Sequence, residues 1–424
     1  MNSSVLFLVF YTLLWIVTLI LKLKSYEKWG ASSILYFSLA VYGALSIYLY
    51  IDEEIDEEIT LFPLLYLYIM FYIAARPIEQ YDKKNILGVE PPRNENVLTL
   101  ITVFYIFIAL IQAPTIITNI SDGIKIIMLD SVGGAELYSE SKQETVSYDG
   151  SVSNIFSVVY NILSPLLFLL LFYYLSKEKI RKKLVIGLLF CVIIEFLSGI
   201  AKGQRTGATM MFMSFIITYF AFKSFLPLRL VRYIRNVGLI LGLMILIPFS
   251  FITISRFSET EKGVSGALTH YVGQSVVNFD LYAFSANGTR DGDRTCNTFK
   301  HILGISGTPK GMMETRQKYS YMKLDDGSFS TLVGDFVLDF GPFLSFFLFM
   351  FSSLFFLGAT QFKGKYIPFH KMILCYLVMI ICMQGGMYLF NFSYKGNLSL
   401  IAIFLFYIIF RIDYHTKQVY NAKH

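Results

Sequence analysis

The chain has 424 residues, of which 55% are hydrophobic and only 16% are charged, and its formal net charge is +6. Its mean hydropathy is +0.57, whereas a soluble globular protein carries a larger charged fraction. A bilayer core about 30 Å thick needs roughly 20 apolar residues per helix, and many runs reach that length. The composition therefore predicts an all-α polytopic membrane protein.

Taken in chain order, the apolar runs predict about eleven transmembrane helices. They are Val5–Leu21, Ser32–Ile51, Leu61–Ala75, Val97–Ile117, Ile155–Leu175, Leu184–Ala201, Ala208–Phe222, Val237–Ile254, Leu332–Ala359, Met372–Phe390 and Leu398–Phe410. One long polar segment, residues 256–330, separates the eighth helix from the ninth. We expect residues 1–424 to form a single membrane domain with this segment as its large external loop.

The positive-inside rule orients the predicted helices. More than half of the 36 Lys and Arg residues lie in alternate connections, beginning with Lys22, Lys24 and Lys28. The other short connections are poor in Lys and Arg, and one of them is the acidic run 52–58. This distribution predicts an outside N-terminus, an inside C-terminus and an outward-facing loop over residues 256–330.

The sixth predicted helix carries an ionisable residue within an apolar run, which is costly and makes it a functional candidate. Glu195, Ser198, Gly199 and Lys202 are spaced to share one helical face, which leads out to Arg205. A structural carboxyl paired with Lys202 or with a neighbouring helix is the alternative. Arg205 could equally anchor the chain to phospholipid phosphate.

Arg256 stands at the loop end of the eighth predicted helix, so two arginines are expected at outer helix ends. A planar guanidinium makes paired hydrogen bonds to phosphate and keeps its charge. Arg205 and Arg256 are therefore candidates to bind a diphosphate together. A structural salt bridge is the alternative role for Arg256.

The long loop contains two histidines, and imidazole transfers protons near neutral pH. His270 follows Arg256 by one short segment and is the stronger candidate base, while His301 is the weaker. Either could instead be structural. Tyr271 and the other loop aromatics could stack on sugar rings or pack a small core within the loop.

Charged residues of the loop and of the ninth predicted helix form a third candidate set. Arg290 and Arg294 lie in a Gly- and Asp-rich run, which predicts a turn-rich surface segment rather than a calcium loop. Asp335 and Asp339 share a helical face just before a Gly-Pro pair, where we expect a kink. Pairing of these carboxylates with loop arginines is favoured over a direct catalytic role.

The sequence contains no nucleotide-binding, nucleophile-elbow or zinc-protease motif. Its four cysteines have neither disulfide-framework nor metal-ligand spacing. An outward-facing site without a nucleotide suits a substrate that supplies its own leaving group, such as a lipid diphosphate sugar. No metal, cofactor or nucleic-acid partner is expected.

Three short motifs resemble the bacterial O-antigen and oligosaccharide repeat-unit polymerases. They are Gly203-Gln204-Arg205-Thr206 between two helices, Ser255-Arg256-Phe257 at the start of a large external loop, and Gly334-Asp335 with Asp339-Phe340-Gly341 where the chain re-enters the membrane. The likeness covers most of the chain in architecture. It implies a fold similar to that of lipid-sugar-dependent membrane glycosyltransferases, in the bacterial inner membrane.

The resemblance implies an enzyme of surface polysaccharide synthesis, as for lipopolysaccharide or capsule. Such an enzyme transfers a growing glycan from undecaprenyl diphosphate to an incoming lipid-linked repeat unit on the outer face of the membrane. Arg205 and Arg256 would hold the diphosphate, and His270 would match the loop histidine that is the candidate base in related ligases. A flippase and a chain-length regulator are the expected partners. The candidate substrate-binding set, with residues added from the patterns above, is Arg205, Arg256, Lys202, Tyr271, Arg290, Arg294, Asp335 and Asp339.

Three alternative functions remain open. An O-antigen ligase uses the same donor and a different acceptor. A flippase or other secondary transporter would rely on Glu195 within the membrane. A structural subunit of an assembly complex would tolerate the loss of Arg205 and Arg256.

Overall fold

The computed structural model describes residues 3–26, 29–129, 152–201, 205–236, 238–239, 242, 272–309, 312–322, 329–389 and 393–423. These residues form α helices and one two-stranded sheet. The helices are α1 (Ser3–Tyr26), α2 (Ala31–Asp52), α3 (Leu61–Lys83), α4 (Glu95–Leu129), α5 (Val152–Leu163), α6 (Leu167–Leu175), α7 (Lys182–Ala201), α8 (Arg205–Phe222), α9 (Asn297–Ile302), α10 (Met312–Lys318), α11 (Thr331–Ala359), α12 (Phe369–Gly385) and α13 (Ser393–Lys423). Residues 228–236 and 272–278 are also helical, and a π-helical turn, Phe279–Phe284, follows the latter.

Within the described residues, eight helices are long and apolar enough to cross a membrane, and α12 is apolar but shorter. The eight segments are Ser3–Ser25, Ala31–Asp52, Leu61–Lys83, Glu95–Asn119, Ile155–Leu175, Gly207–Phe225, Thr331–Ala359 and Gly396–His415. The chain is therefore an α-helical, multi-pass membrane protein. Of the remaining predicted spans, the sixth is helical as α7, and most of Val237–Ile254 lies outside the described residues.

Several helices continue past the apolar runs that predict them. α3 runs to Lys83 rather than Ala75, because Ile78 and Tyr81 remain buried at helical spacing. α4 continues to Leu129, past the predicted end at Ile117, and α13 continues to Lys423, past the predicted end at Phe410. Hydropathy marks the part of a helix that matches the hydrocarbon, while packing decides how far the helix continues beyond it.

The chain forms two compact units. The first contains Met1–Asn85, Leu268–Gln361 and Leu374–Ile401. In this unit α1, α2 and α3 pack together, and α3 also packs against α11. Trp15 of α1 is fully buried and stacks on Tyr36 with ring centroids 5.6 Å apart.

The second unit contains Ile86–Ala267, Phe362–Ile373 and Ala402–His424. Here α4 packs against α7, and Tyr105 stacks on Tyr160 with ring centroids 5.1 Å apart. The sheet also belongs to this unit. Its strands, β1 (Gly88–Glu90) and β2 (Tyr366–Pro368), pair in parallel.

Prolines lie inside α3 and α11, and groups from other segments bond to the carbonyls that these prolines cannot pair with. α11 breaks at Gly341, where φ is 74° and ψ is 163°, which confirms the predicted kink. In α3, Pro77 has no N–H for the Ile73 carbonyl. The Ser353 hydroxyl of α11 donates to that carbonyl at 2.7 Å, so the carbonyl that lacks a helical partner forms a contact between α3 and α11.

Candidate functional site

The polar loop docks on the first half of α11 at the place where Pro342 ends the regular hydrogen bonding. Pro342 has no N–H to donate to the Leu338 carbonyl. The backbone N–H of Arg290 donates to that carbonyl instead, at 2.7 Å, and the N–H of Gly292 donates to the Asp339 carbonyl at 3.2 Å. The loop therefore completes the helix backbone beside two carboxylates of α11.

A buried ionic cluster, formed by Arg290, Arg294, Asp335 and Asp339, lies at this docking point. Arg290 Nε is 2.8 Å from Asp339 Oδ1, and its Nη2 is 3.2 Å from Asp335 Oδ1. The same Nη2 also donates to the Asp335 carbonyl at 3.1 Å. Arg290, Asp335 and Asp339 are buried, so the guanidinium supplies the charge that makes two buried carboxylates tolerable.

Arg294 completes the ionic cluster from its edge. Its Nε is 3.3 Å from Asp335 Oδ1, and its side chain is 17% exposed, whereas that of Arg290 is fully enclosed. Asp339 Oδ2 accepts hydrogen bonds from the backbone N–H groups of Arg294 at 3.2 Å and Thr295 at 2.7 Å. Asp339 therefore binds the side chain of Arg290 and the backbone N–H groups of Arg294 and Thr295.

The predicted pairing of Asp335 and Asp339 with loop arginines is confirmed. The predicted surface character of the 287–294 run is wrong in part, because Arg290 and Asp293 are buried, although residues 291–294 do form turns. Charged residues buried in a turn need partners, and the two carboxylates of α11 together with two lysines provide them.

Asp293 is the centre of a second set of contacts, which the sequence analysis did not single out. Its carboxylate accepts hydrogen bonds from Lys300, from Lys318 at 2.6 Å and from the Tyr319 hydroxyl at 2.6 Å. Burial alone raises the pKa of Asp293, but these three donors hold it below the ordinary value. The contacts join α9 and α10 to the turn that carries the ionic cluster.

The π-helical turn before the ionic cluster contributes a further carboxylate, Asp280, with partners of its own. Asp280 accepts hydrogen bonds from the Thr60 backbone N–H at 2.8 Å and from its hydroxyl, at the start of α3. Burial raises the pKa of Asp280 to about 6, against the opposing effect of these hydrogen bonds. Its partner is 220 residues away in sequence, so no sequence pattern could have shown the contact.

Two turn residues explain the close approach of the loop to α11. Asp291 and Gly292 have φ values of 51° and 79°, a region that glycine enters freely and aspartate tolerates. A Cβ on Gly292 would lie 3.0 Å from the Phe340 ring. The turn thus needs a residue without a side chain at this position.

Other predicted site residues lie elsewhere or outside the described residues. Lys202, Arg256, His270 and Tyr271 lie outside them, as does the side chain of Arg205 at the start of α8. His301 of α9 is half-buried, and its Nε2 lies 3.2 Å from the Pro309 carbonyl oxygen. The structure thus brings together four of the predicted substrate-binding residues, all at the break in α11.

Glu195, the predicted ionisable residue within the membrane, lies in α7 of the second unit. Its carboxylate is close to the hydroxyl groups of Tyr105 and Tyr160. The Tyr160 hydroxyl also donates to the Cys191 carbonyl at 3.2 Å. Glu195 is thus associated with a pair of stacked tyrosines.

Across the part of the chain that the structure describes, no group of three or more His, Cys, Asp or Glu side chains could hold a metal ion. The four cysteines are free thiols. Comparison with family models, curated proteins and solved structures gives no match to this chain. The residues themselves are therefore the basis for assigning a function.

Proposed function

We propose that this protein is a membrane glycosyltransferase that polymerises lipid-linked oligosaccharide repeat units. The growing glycan would pass from undecaprenyl diphosphate to the incoming repeat unit on the outer face of a bacterial cytoplasmic membrane. The proposal includes eleven spans, an outside N-terminus and an inside C-terminus, as the Lys and Arg distribution favours. The resemblance of the short motifs around Arg205, Arg256 and Asp335 supports the same reading.

The observation that supports this proposal most is the attachment of a polar loop to a membrane span through the ionic cluster. A reaction on the headgroup of a lipid carrier needs polar side chains held at the membrane boundary. Arg290 is enclosed between Asp335 and Asp339, so we assign these three residues to positioning the loop. Arg294, whose side chain is partly exposed, keeps its candidate role in binding substrate.

In the proposed reaction, Arg205 and Arg256 bind the diphosphate of the donor. A hydroxyl group of the incoming repeat unit attacks the anomeric carbon, and the bond from that carbon to the diphosphate oxygen breaks. The two guanidiniums stabilise the negative charge of the leaving group, most effectively in a site that excludes water. His270 accepts the proton of the attacking hydroxyl.

The test is the lipid-linked glycan profile of bacteria that lack this protein, with wild-type, Arg256→Ala or Arg256→Lys copies added back. Single repeat units that remain lipid-linked, face outward and are still transferred singly to the final acceptor indicate a polymerase. Full-length polymer retained on the carrier indicates a ligase, and repeat units held on the inner face indicate a flippase. Wild-type polymer length with Arg256→Lys would rule out the diphosphate clamp, since lysine keeps the charge and loses the paired geometry.

One observation favours the alternative of a secondary transporter. Glu195 lies within an apolar helix beside Tyr105 and Tyr160, and such intramembrane carboxyls commonly serve ion or proton pathways. Under this alternative, Glu195→Gln would trap repeat units on the inner face while Arg256→Lys would have no effect. Under the polymerase proposal, Glu195→Gln has no effect, while Arg256→Lys leaves single repeat units on the outer face.

A further inference from the structure

The loop also carries an exposed apolar patch that the proposed reaction does not use. We define this apolar patch as Phe299, Ile302, Leu303 and Ile305. Phe299 and Ile302 share one face of α9, and Ile302 and Leu303 are 69% and 74% exposed. Four large exposed apolar side chains within seven residues mark a surface that something else covers.

The length of α11 gives the level of the membrane boundary on the loop's side. The part of α11 after the Gly341 break, residues 342–359, has 18 residues and spans about 27 Å at 1.5 Å per residue, close to the hydrocarbon thickness of about 30 Å. Counting roughly 20 residues back from Ala359, the last residue of α11, reaches Phe340. The exposure of the side chains agrees, since Thr331–Asp339 is buried almost throughout and Phe343 is 78% exposed. The hydrocarbon on the loop's side therefore ends near the Gly341 break.

The start of α9 lies at this same level. The turn that precedes α9 is hydrogen-bonded to the carbonyls of Leu338 and Asp339. The Phe340 ring lies against Gly292 of that turn. Since α9 begins only five residues after Gly292, the apolar patch emerges beside the membrane boundary.

The polar groups of this segment are satisfied within the loop, as a lipid environment requires. The Asn297 amide donates to the carbonyls of Asp293 and Pro309, and the Lys300 ammonium bonds to the Asp293 carboxylate. His301 lies within hydrogen-bonding distance of the Pro309 carbonyl, and the Thr308 hydroxyl donates to the Ile305 carbonyl. These contacts direct the polar groups of the segment inward and leave the apolar patch outermost.

We propose that the apolar patch inserts into the lipid leaflet on the loop's side, so that residues 297–305 form an interfacial membrane anchor for the loop. The occupant is lipid because the patch lies at the level where the lipid-facing side chains of α11 begin. The anchor fixes the loop at a second point besides the ionic cluster. The proposal does not depend on the reaction that the protein catalyses.

The test uses the full-length protein in vesicles of phosphatidylcholine and phosphatidylglycerol. Cys296→Ser removes the one cysteine that is not buried. Leu303→Cys then receives a nitrobenzoxadiazole label, and Asp56→Cys, an exposed position in a short connection, is the matched control. Quenching is measured with lipids spin-labelled near the headgroup and, separately, with aqueous iodide. A labelled Ile305→Cys provides a second position in the patch.

We expect lipid quenching at Leu303 and Ile305 to exceed that at Asp56 by about twofold or more, since interfacial side chains lie roughly 5–10 Å into the headgroup region. We expect iodide to quench the Asp56 label more strongly than the labels in the patch. Iodide quenching in the patch equal to that at Asp56 would mean that the patch faces water and would overturn the proposal. Protection from both quenchers would mean that protein, such as a second copy of the chain, covers the patch, and would overturn it equally.

Discussion

Arg290 Nε lies 2.8 Å from Asp339 Oδ1, and both side chains are fully buried. One residue belongs to a polar loop and the other to a membrane span, so a buried charge pair joins the loop to the helix. Because an uncompensated buried charge is far more costly than an exposed one, this contact should dominate the stability of the docked loop. Its neighbour Arg294 is partly exposed.

Arg290→Ala should lower the free energy of unfolding by about 3–5 kcal/mol, because it leaves Asp335 and Asp339 buried without their shared cation. Arg294→Ala should cost less, because its side chain is partly exposed and Arg290 remains beside Asp335. Unfolding of the purified protein in detergent, followed by tryptophan fluorescence, measures both. Equal losses for the two variants would contradict the assigned difference in burial.

The pKa of Asp280 predicts a stability that depends on pH. Burial raises this pKa from 3.8 to about 6 in the folded protein. A raised pKa means that the protonated form favours folding, so this contribution is complete below 3.8 and is lost as the pH rises through about 6. We therefore expect Asp280→Asn, which stays neutral, to weaken the fall in thermal midpoint between about pH 4 and pH 6.

The control for the Asp280 prediction is Asp56→Asn, which changes an exposed carboxylate. It should leave the pH dependence of the thermal midpoint as in the wild type. If Asp280→Asn and Asp56→Asn have the same pH profile, the Asp280 carboxyl is not the titrating group.

At Thr331, the first residue of α11, we expect glycine to give a more stable protein than alanine. Its φ is 73°, which is unfavourable for a β-branched residue, and its hydroxyl accepts a hydrogen bond from the Gly334 N–H. Both Thr331→Ala and Thr331→Gly lose that bond, but only glycine relieves the backbone strain. We expect the glycine variant to be more stable than the alanine variant by about 1 kcal/mol, against the usual helix-interior order. Thermal midpoints of the two variants decide the sign.

Comparing alanine variants of Gly292 and Gly304 separates two effects on stability, that of a steric contact and that of a positive φ. Both have a positive φ, 79° and 67°, but only a Cβ on Gly292 meets a neighbour, the Phe340 ring at 3.0 Å. Both alanine variants carry the conformational cost of about 1 kcal/mol. Gly292→Ala should cost about 1–3 kcal/mol more through overpacking. Similar thermal midpoints for the two variants would show that the turn does not pack closely on α11.

Patterns of short range in the sequence predict much of this structure. Apolar runs locate the membrane helices, and the four-residue spacing of Asp335 and Asp339 places both carboxylates on one face. The Gly341-Pro342 pair predicts the break, because proline lacks the N–H of a regular helix. The pairing of these carboxylates with loop arginines follows from the free-energy cost of burying a carboxylate without a cation.

The sequence does not predict which loop residues are buried, because that depends on contacts distant in the chain. Arg290 and Arg294 have the same chemistry, and only the docking of the turn on Leu338 encloses one of them. Lys318 reaches Asp293 from 25 residues away, and α3 extends past Ala75 because of packing. No local periodicity carries this information.

The small parallel sheet limits when one part of the protein can fold during its synthesis. β1 follows the third helix, while its partner β2 lies near the end of the chain. Parallel pairing across such a separation is slow to form because the intervening chain must first be closed. During synthesis, β1 therefore waits until most membrane helices have been inserted. A ribosome stalled before Tyr366 would leave the edge of β1 open to pairing with other chains.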